Sequence, residues 1–273
     1  MADNYSVLMS VYYKEDPMFL KAAIDSILNQ TVKTNDFVIV CDGPLNASLD
    51  SVIAEYVTTY PGLFNIFRLS ENKGLAKALN NGILQCKNEL ILRMDSDDIS
   101  VSTRAEKELL AIKDKKADIV GSNIIEFEGT IENTGKERVV PEKHEDIKTF
   151  VKKRSPFNHP TVMYKKSKVI EAGLYEDYRF FEDYNLWATM IVKGFKTYNI
   201  QENLLFMRAG ENMYKRRGGA SYLKCILRFH INLLRIGTIS PLKFLVSVTT
   251  RSLVCVIPNG LRAGLYKKFL RKS

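Results

Sequence analysis

The stretch Ile91-Leu92-Arg93-Met94-Asp95-Ser96-Asp97-Asp98 decides the fold, because a short apolar run ends abruptly in three carboxylates. Such a run is typical of a buried strand, and the acids would emerge at its carboxyl end, where open α/β sheets place their ligands. Asp95 and Asp97 can converge there on one divalent cation, and oxygen ligands of this kind suit Mg²⁺ or Mn²⁺. Taken alone, the acids fit a solvated turn that caps the next helix equally well.

Strand and helix patterns alternate on the amino-terminal side of this stretch. Asp16-Pro17 supplies a helix cap followed by proline at the first helical position. The order of strands and helices predicts a parallel sheet. The predicted strands are residues 5–12, 37–41, 65–69 and 89–94, and the predicted helices follow Asp16 and cover 51–59 and 75–85.

The second half of the chain has shorter patterns. Its predicted helices are residues 103–113, 143–153 and one from about 181 to Lys193-Gly194. Its predicted strands are residues 118–121 and 161–164. The polar, irregular region 127–145 predicts hairpins or a mobile loop. The fold class is therefore α/β, with a mostly parallel central sheet flanked by helices.

Charge divides the chain into two parts. The net charge is +9, yet residues 208–273 hold fourteen Lys or Arg and a single acid, Glu211. The remaining residues carry 26 basic and 30 acidic side chains. We therefore predict a catalytic domain over residues 1–207 and a basic, amphipathic helical extension over 208–273.

The extension predicts a helix with one apolar face, formed by Tyr222, Ile226, Phe229, Leu233 and Leu234. Such a basic amphipathic helix can lie in an anionic membrane interface. The alternative is that it packs on the core with its charged face outward. Nucleic acid would also match the charge, but no recognisable reading motif accompanies it, so we expect no nucleic-acid partner.

Cysteine usage and hydropathy indicate a cytosolic protein. The four cysteines have neither close pairing nor metal-ligand spacing. The amino terminus does not resemble a signal peptide, and Lys243, Arg251 and Pro258 interrupt the longest apolar region. We expect a cytoplasmic protein that can lie on the inner face of the cytoplasmic membrane.

Two further motifs could bind a nucleotide. Asp42 ends a second apolar strand and could accept a hydrogen bond from a base or ribose, although Asp42-Gly43 also fits an ordinary turn. Asn72-Lys73-Gly74 precedes a helix and could present backbone N–H groups or Lys73 to phosphate. The glycine-rich fingerprint of dinucleotide folds is missing.

Glu182-Asp183 is a second acid pair, and a carboxylate there could deprotonate a sugar hydroxyl. Its alternative role is to stabilise the positive end of a helix. His159 is a candidate for binding acceptor or diphosphate, or a structural histidine between prolines. Arg216 and Arg217, beside two glycines, could clamp a diphosphate or form a solvated charge cluster.

Together these motifs resemble the family 2 glycosyltransferases, which have the GT-A fold, over roughly residues 5–210. The resemblance rests on the order of Ser10-Val11-Tyr12, Cys41-Asp42-Gly43-Pro44, Asn72-Lys73-Gly74 through Asn80-Asn81-Gly82-Ile83, Asp95-Ser96-Asp97-Asp98 and Phe181-Glu182-Asp183-Tyr184-Asn185-Leu186-Trp187. The His159-Pro-Thr-Val-Met segment and the basic tail are similar to bacterial enzymes that assemble O-antigen, capsule or exopolysaccharide repeat units.

The resemblance implies a role for each matched residue. Asp183 would be the general base, Asp97 would hold Mn²⁺ or Mg²⁺, and Asp95 would contact the ribose or donor sugar. The other residues implied at the donor nucleotide are Ser10, Tyr12, Asp42, Asn72, Gly74 and Ser96. Many relatives carry paired acids after the second strand, whereas this chain has Cys41 at the first of the two positions. This departure from the family pattern concerns the predicted recognition of the base by Asp42, and hence the preference for UDP.

The implied reaction is inverting transfer, with a β linkage formed from an α-linked nucleotide sugar. The Gln-x-x-Arg-Trp pattern of processive synthases is absent, since the only tryptophan is Trp187. We therefore expect addition of one hexose or N-acetylhexosamine from a UDP-sugar to a lipid-diphosphate-linked saccharide. The alternatives are a catalytically inactive nucleotide-sugar or membrane-binding module and a sugar nucleotidyltransferase.

Overall fold

A nine-stranded sheet forms the centre of the protein, for which a computed structural model describes residues 4–209 and 219–256. The strands are β1 (Tyr5–Val11), β2 (Asp36–Cys41), β3 (Phe64–Arg68), β4 (Leu90–Asp95), β5 (Ile99–Ser100), β6 (Ile119–Phe127), β7 (Thr134–Arg138), β8 (Met163–Lys165) and β9 (Thr197–Arg208). Their order is β3-β2-β1-β4-β8-β6-β9-β5, and β7 pairs with β6. The four strands β3, β2, β1 and β4 are mutually parallel, as the alternation of strands and helices predicted.

Helices cover both faces of the sheet. They are α1 (Pro17–Leu28), α2 (Ala47–Thr59), α3 (Leu75–Gln85), α4 (Arg104–Asp114), α5 (His144–Phe150), α6 (Lys166–Ala172), α7 (Glu182–Val192), α8 (Gly219–Arg235) and α9 (Pro241–Val256). Alternate side chains of β1 enter separate cores: Leu8 packs with α3, α7 and α8, whereas Val7 and Met9 pack with α1, α2 and α4. The predicted α/β fold class is confirmed.

Local capping explains where α1 begins. A carboxylate oxygen of Asp16 accepts a hydrogen bond from the Met18 N–H at 2.8 Å, and Pro17 occupies the first helical position. Proline lacks the N–H that the first turn would leave unpaired, so this pair starts a helix at little cost. The start of α1 is therefore encoded locally, as predicted.

The sequence did not predict β9, and it predicted only the first part of β6. The middle of β9 reads Asn199-Ile-Gln-Glu-Asn203, which lacks a regular apolar alternation. This segment becomes a strand because β6 pairs with it in parallel, with register shifts around Asn123. The 127–145 region, expected to be hairpins or a loop, contains β7, which pairs antiparallel with β6.

The predicted apolar face of the tail helix is packed on the core. Tyr222, Ile226, Phe229 and Leu233 of α8 are all buried within the core cluster that contains α7. The structure therefore favours the packed alternative for this face of α8. Within the described ranges, no helix combines the length and the hydropathy needed to cross a bilayer.

Candidate functional site

The carboxyl ends of β1, β2 and β4 lie side by side and gather most of the predicted donor-binding residues. Ser10 is opposite Asp95 in the pairing of β1 with β4, and opposite Val40 in the pairing of β1 with β2. Tyr12 follows β1 directly, and Asp42 follows β2. Parallel strands end at one edge of a sheet, so these side chains share a crevice.

Asp42 holds the loop that contains Asn72. Its two carboxylate oxygens accept hydrogen bonds from the N–H groups of Lys73 at 2.7 Å and Gly74 at 3.0 Å. The Asn72 side-chain amide donates to the Asp42 carbonyl at 3.2 Å. A Cβ at Gly43 would lie only 2.6 Å from the Asn72 nitrogen, which explains why glycine follows Asp42. Asp42 therefore anchors the 72–74 loop, a structural role different from an ordinary Asp-Gly turn, and its recognition of a base stays a prediction.

Asp95 forms a two-point ion pair with Arg93, which sequence reasoning missed. Arg93 Nη1 donates to Asp95 Oδ2 at 2.7 Å, and Arg93 Nη2 donates to Asp95 Oδ1. The Arg93 side chain is 1% exposed and that of Asp95 is 35% exposed. The pair fixes the Asp95 carboxylate while leaving part of it open to the crevice. A cation within an apolar strand was the local signal that could have identified Arg93.

Asp95, Asp97 and Asp98 form a carboxylate cluster that could hold a metal. One oxygen from each lies within 4.8 Å of the others. Burial, followed by the charges of Asp95 and Glu15, raises the pKa of Asp97 to about 7. Among the described residues, Asp98 Oδ2 is buried without a hydrogen-bond partner. Crowded, incompletely paired carboxylates of this kind fit a hard divalent cation, which would favour their ionised forms.

Glu15 is an additional carboxylate at this cluster that the sequence did not reveal. Ser96 Oγ donates to Glu15 Oε2 at 2.5 Å, and Glu15 Oε1 accepts the Asp16 N–H at 2.9 Å. The loop after β1 is thereby tied to the loop after β4. Ser96 thus supports a neighbouring acid, and its contact with the donor stays a prediction.

Arg208, at the end of β9, fixes the back of the acid cluster. Its backbone N–H donates to Asp98 Oδ1 at 2.8 Å, and its Nε donates to the Asp97 carbonyl at 3.0 Å. The guanidinium lies over the rings of Phe19 and Phe127, 3.7 Å and 4.5 Å from their centroids. These contacts attach the acid turn to the end of β9.

Asp183 lies in the first turn of α7, as the sequence predicted. Burial raises its pKa, while the Tyr184 N–H, the charges of Arg138 and Arg93 and the Ser155 hydroxyl act in the opposite direction. Ser155 Oγ lies 3.4 Å from Asp183 Oδ2. Burial also raises the pKa of the adjacent Glu182 to about 7. Asp183 is therefore a carboxylate of raised basicity held at a helix N-terminus.

His159 packs among aromatic side chains on the same side of the site as Asp183. Its Nε2 lies 3.0 Å from Tyr175 Oη, and its ring lies 6.0 Å from that of Trp187 in an edge arrangement. Burial, assisted by the charge of Arg93, lowers the pKa of His159 well below its ordinary value. A neutral imidazole can donate one hydrogen bond and accept another, but it supplies no cation for a diphosphate.

Tyr175 was not predicted, because nothing in its local sequence marks it. Its backbone N–H and carbonyl both bond the side chain of Asn80, at 2.8 Å each.

Arg216 and Arg217, the predicted diphosphate clamp, lie outside the described residues. The site as described thus consists of an acid cluster after β4 and the candidate base Asp183 at α7; Arg93 pairs with Asp95, and its charge also acts on Asp183.

Comparison with known proteins identifies the family. The model of glycosyl transferase family 2 matches residues 6–179. An uncharacterized glycosyltransferase of Haemophilus influenzae is 38% identical over 98% of this chain and all of its own length. UDP-Gal:alpha-D-GlcNAc-diphosphoundecaprenol beta-1,3-galactosyltransferase of Escherichia coli is 36% identical, covering 98% of this chain and 97% of its own.

Solved structures show the same fold at low identity. The Staphylococcus aureus TarS 1–349 complex with UDP-GlcNAc superposes with a TM-score of 0.68 at 16% identity, covering 99% of this chain and 76% of its own. The Pyrobaculum calidifontis mannosyltransferase complex with GDP-Man and Mn²⁺ gives 0.61 at 13% identity, covering 100% and 77%. The family match, the two relatives and the fold agree, and this chain belongs to glycosyl transferase family 2.

Proposed function

We propose that this protein transfers one hexose or N-acetylhexosamine from a UDP-sugar to a lipid-diphosphate-linked saccharide, with inversion at the anomeric carbon and dependence on a divalent cation. The reaction belongs to the assembly of a bacterial surface polysaccharide such as O-antigen, capsule or exopolysaccharide. It takes place at the inner face of the cytoplasmic membrane.

The position of Arg93 is the observation that carries this proposal. Its guanidinium binds Asp95 at the donor crevice. Although burial is the largest influence on Asp183 and raises its pKa, the charge of Arg93 also reaches that carboxylate. The proposed donor-binding acid and the candidate base therefore share the influence of one cation, which supports a site that holds two substrates close together.

The proposed reaction begins with Asp183. Its carboxylate accepts the proton of an acceptor hydroxyl, and the oxygen attacks the anomeric carbon from the side opposite the nucleotide. The bond from that carbon to the diphosphate oxygen breaks, UDP departs with the electron pair, and an α-linked donor gives a β linkage. Asp95, fixed by Arg93, orients the donor, and α7 directs its positive end at the ionised base.

The carboxylates after β4 are the proposed metal ligands. Asp97 is the principal ligand, with Asp95 and Asp98 beside it. A bound Mn²⁺ or Mg²⁺ would neutralise the charge that develops on the departing diphosphate. The residues of this chain hold the ligand set together, since Arg208 and Glu15 fix both of its edges.

The names of two relatives support a choice of donor and acceptor. The E. coli relative is named as a UDP-galactose enzyme that acts on α-D-GlcNAc-diphosphoundecaprenol, and an Erwinia amylovora relative, 35% identical over 97% of this chain and 98% of its own, is named for amylovoran biosynthesis. We therefore place UDP-galactose first among donors and a polyprenyl-diphosphate-linked saccharide first among acceptors.

A thermal-shift screen with UDP and UDP-sugars, each with and without Mn²⁺, tests the proposal on the wild type, Asp97→Ala and the control Asp114→Ala. Asp114 is an exposed acid at the end of α4. Ligand at about 100 times its Kd stabilises the folded state by about 2.7 kcal/mol. We expect metal-dependent stabilisation in the wild type and in the control only.

Turnover of the UDP-sugar onto a lipid-diphosphate acceptor completes the test. If UDP stabilises the protein equally with and without Mn²⁺, and equally in the wild type and Asp97→Ala, metal dependence is rejected. Metal-dependent binding without turnover of any donor would instead favour the alternative of an inactive binding module.

A further inference from the structure

One face of α9 exposes large apolar side chains to solvent. Leu242, Leu245 and Val246 are 72%, 60% and 55% exposed, and Thr249 is exposed beyond them. Their spacing of three, four and seven residues places them on a single helical face. Three adjacent aliphatic side chains on one face leave an apolar surface without cover among the described residues.

This face lies in a strongly basic part of the chain. Residues 219–256 contain five Lys or Arg and no acid. Lys243 is exposed beside the apolar side chains, and Lys224 and Arg235 are exposed on the neighbouring helix α8. An exposed apolar helix face in a cationic part of the chain is complementary to an anionic lipid surface, where each cation near the headgroups contributes about 1 kcal/mol.

Helix α9 is attached to the part of the core that carries Asp183. Phe244 packs against the core cluster that contains α7 and α8. Arg251 Nη2 donates to the Lys153 carbonyl at 3.2 Å. Tyr184, the residue after Asp183, donates to the Val151 carbonyl at 2.5 Å. The segment 151–155 therefore contacts both α9 and the surroundings of the candidate base.

We propose that the α9 apolar face, formed by Leu242, Leu245 and Val246, docks on the anionic headgroup and upper acyl region of a lipid bilayer. The apolar face of α8 is buried in the core, so the proposed membrane contact is made by α9. The consequence for catalysis rests on the proposed function: a docked α9 holds the Asp183 side of the molecule near the lipid anchor of the acceptor.

Cosedimentation of the full chain with vesicles tests the docking surface. The probes are vesicles of phosphatidylethanolamine with phosphatidylglycerol, compared with vesicles of phosphatidylcholine. The variant is Leu245→Ser, and its matched control is Leu110→Ser, because Leu110 is 53% exposed on α4 at the other face of the sheet. Lys243→Glu tests the contribution of charge.

We expect the wild type to bind phosphatidylglycerol vesicles more tightly than phosphatidylcholine vesicles. Leu245→Ser should weaken partitioning roughly fivefold to tenfold at both low and high salt, whereas Leu110→Ser should not weaken it. Lys243→Glu should weaken it at low salt only, because the headgroup potential is screened.

Equal binding by Leu245→Ser and the wild type would overturn the proposal, as would wild-type binding to neither vesicle. Light scattering distinguishes a second copy of the chain as the occupant: a wild-type dimer that Leu245→Ser converts to a monomer would also overturn it.

Turnover assays separate this proposal from the proposed function. Leu245→Ser should retain wild-type activity on a water-soluble acceptor and lose activity only on a lipid-linked acceptor in vesicles. Vesicle binding that depends on Leu245 in a protein without any transferase turnover would leave the docking surface standing and reject the proposed function.

Discussion

Phe181, which precedes the acid pair of α7, stacks on Phe229 of α8 with ring centroids 4.6 Å apart and ring planes inclined by only 5°. Phe229 is fully buried and also contacts Tyr184, with centroids 4.8 Å apart. A second link joins the helices, because the Asn232 amide donates to Asn185 Oδ1 at 2.7 Å. The basic extension therefore supports the residues on both sides of Asp183.

Replacement of Phe229 tests this support. Phe229→Ala should destabilise the fold by about 3–5 kcal/mol, because it removes a fully buried ring and leaves a cavity behind Phe181. Leu227→Ala is the control, since Leu227 lies on the same helix and is 38% exposed. Urea unfolding followed by the fluorescence of Trp187, the only tryptophan, measures both. Equal losses in the two variants would refute the supporting role.

Arg93→Lys tests whether two-point pairing with Asp95 matters. Lysine keeps the charge but lacks the planar fork that binds both carboxylate oxygens. Loss of a group that orients a ligand-binding side chain typically costs about 10–100-fold, and we expect kcat/KM for the donor to fall by this factor. Arg68→Lys is the control, because Arg68 pairs with Asp50 where both side chains are about half exposed. Wild-type kcat/KM in Arg93→Lys would contradict the prediction.

The pH profile of turnover reports on Asp183. Burial raises its pKa above the ordinary aspartate value of about 3.9. A general base must be ionised, so activity should be present above the raised pKa and lost as the pH falls through it. Asp183→Asn should lower kcat about 10²–10⁴-fold while UDP still binds. Wild-type kcat in this variant would reject the base assignment.

Ser155→Ala should move the acid limb of that profile. The Ser155 hydroxyl lies 3.4 Å from Asp183 Oδ2 and stabilises the charged carboxylate, so its removal should shift the limb to higher pH. Ser51→Ala, at an exposed serine of α2, is the control and should leave the limb in place. A limb that stays fixed in Ser155→Ala would remove Ser155 from the set of groups that tune the base.

Glu182→Gln predicts a pH-dependent change in stability. Burial raises the folded pKa of Glu182 to about 7, whereas the unfolded value is about 4.3. The wild type should therefore lose stability as the pH rises between these values, and glutamine should not. By pH 8 the variant should gain about 1–3 kcal/mol relative to the wild type, compared with its difference at pH 4. Glu176→Gln, at an exposed acid, is the control; equal gains in both variants would contradict the prediction.

Residues whose structure depends on their neighbours in sequence were predictable. The helix cap at Asp16-Pro17 and the apolar runs of β1, β2 and β4 identify themselves within a few residues. Their alternation with helices implies that the strand ends meet, which places Ser10 beside Asp95. The family resemblance added roles for these residues that local patterns do not contain.

Residues whose function depends on distant partners were not predictable. Tyr175 is held by Asn80, ninety-five positions away, and Arg208 reaches Asp98 across a hundred and ten. The strand β9 forms because β6 pairs with it on both sides of its polar middle, where the register shifts, and because β5 pairs near its end. No local periodicity records such contacts, because they depend on how the whole sheet closes.

The sequence by itself determined the α/β class, the edge of the sheet at which the donor is proposed to bind and the two acid groups that could perform transfer. Only the tertiary structure decided that Arg93 joins those groups, that α8 packs behind Asp183 and that α9 presents the uncovered apolar face. The physical reason is that amphipathic periodicity identifies the apolar face of a helix but does not identify the surface on which that face packs. The tail helices both meet this description, and only their packing separates the helix that is buried from the helix whose apolar side chains remain exposed.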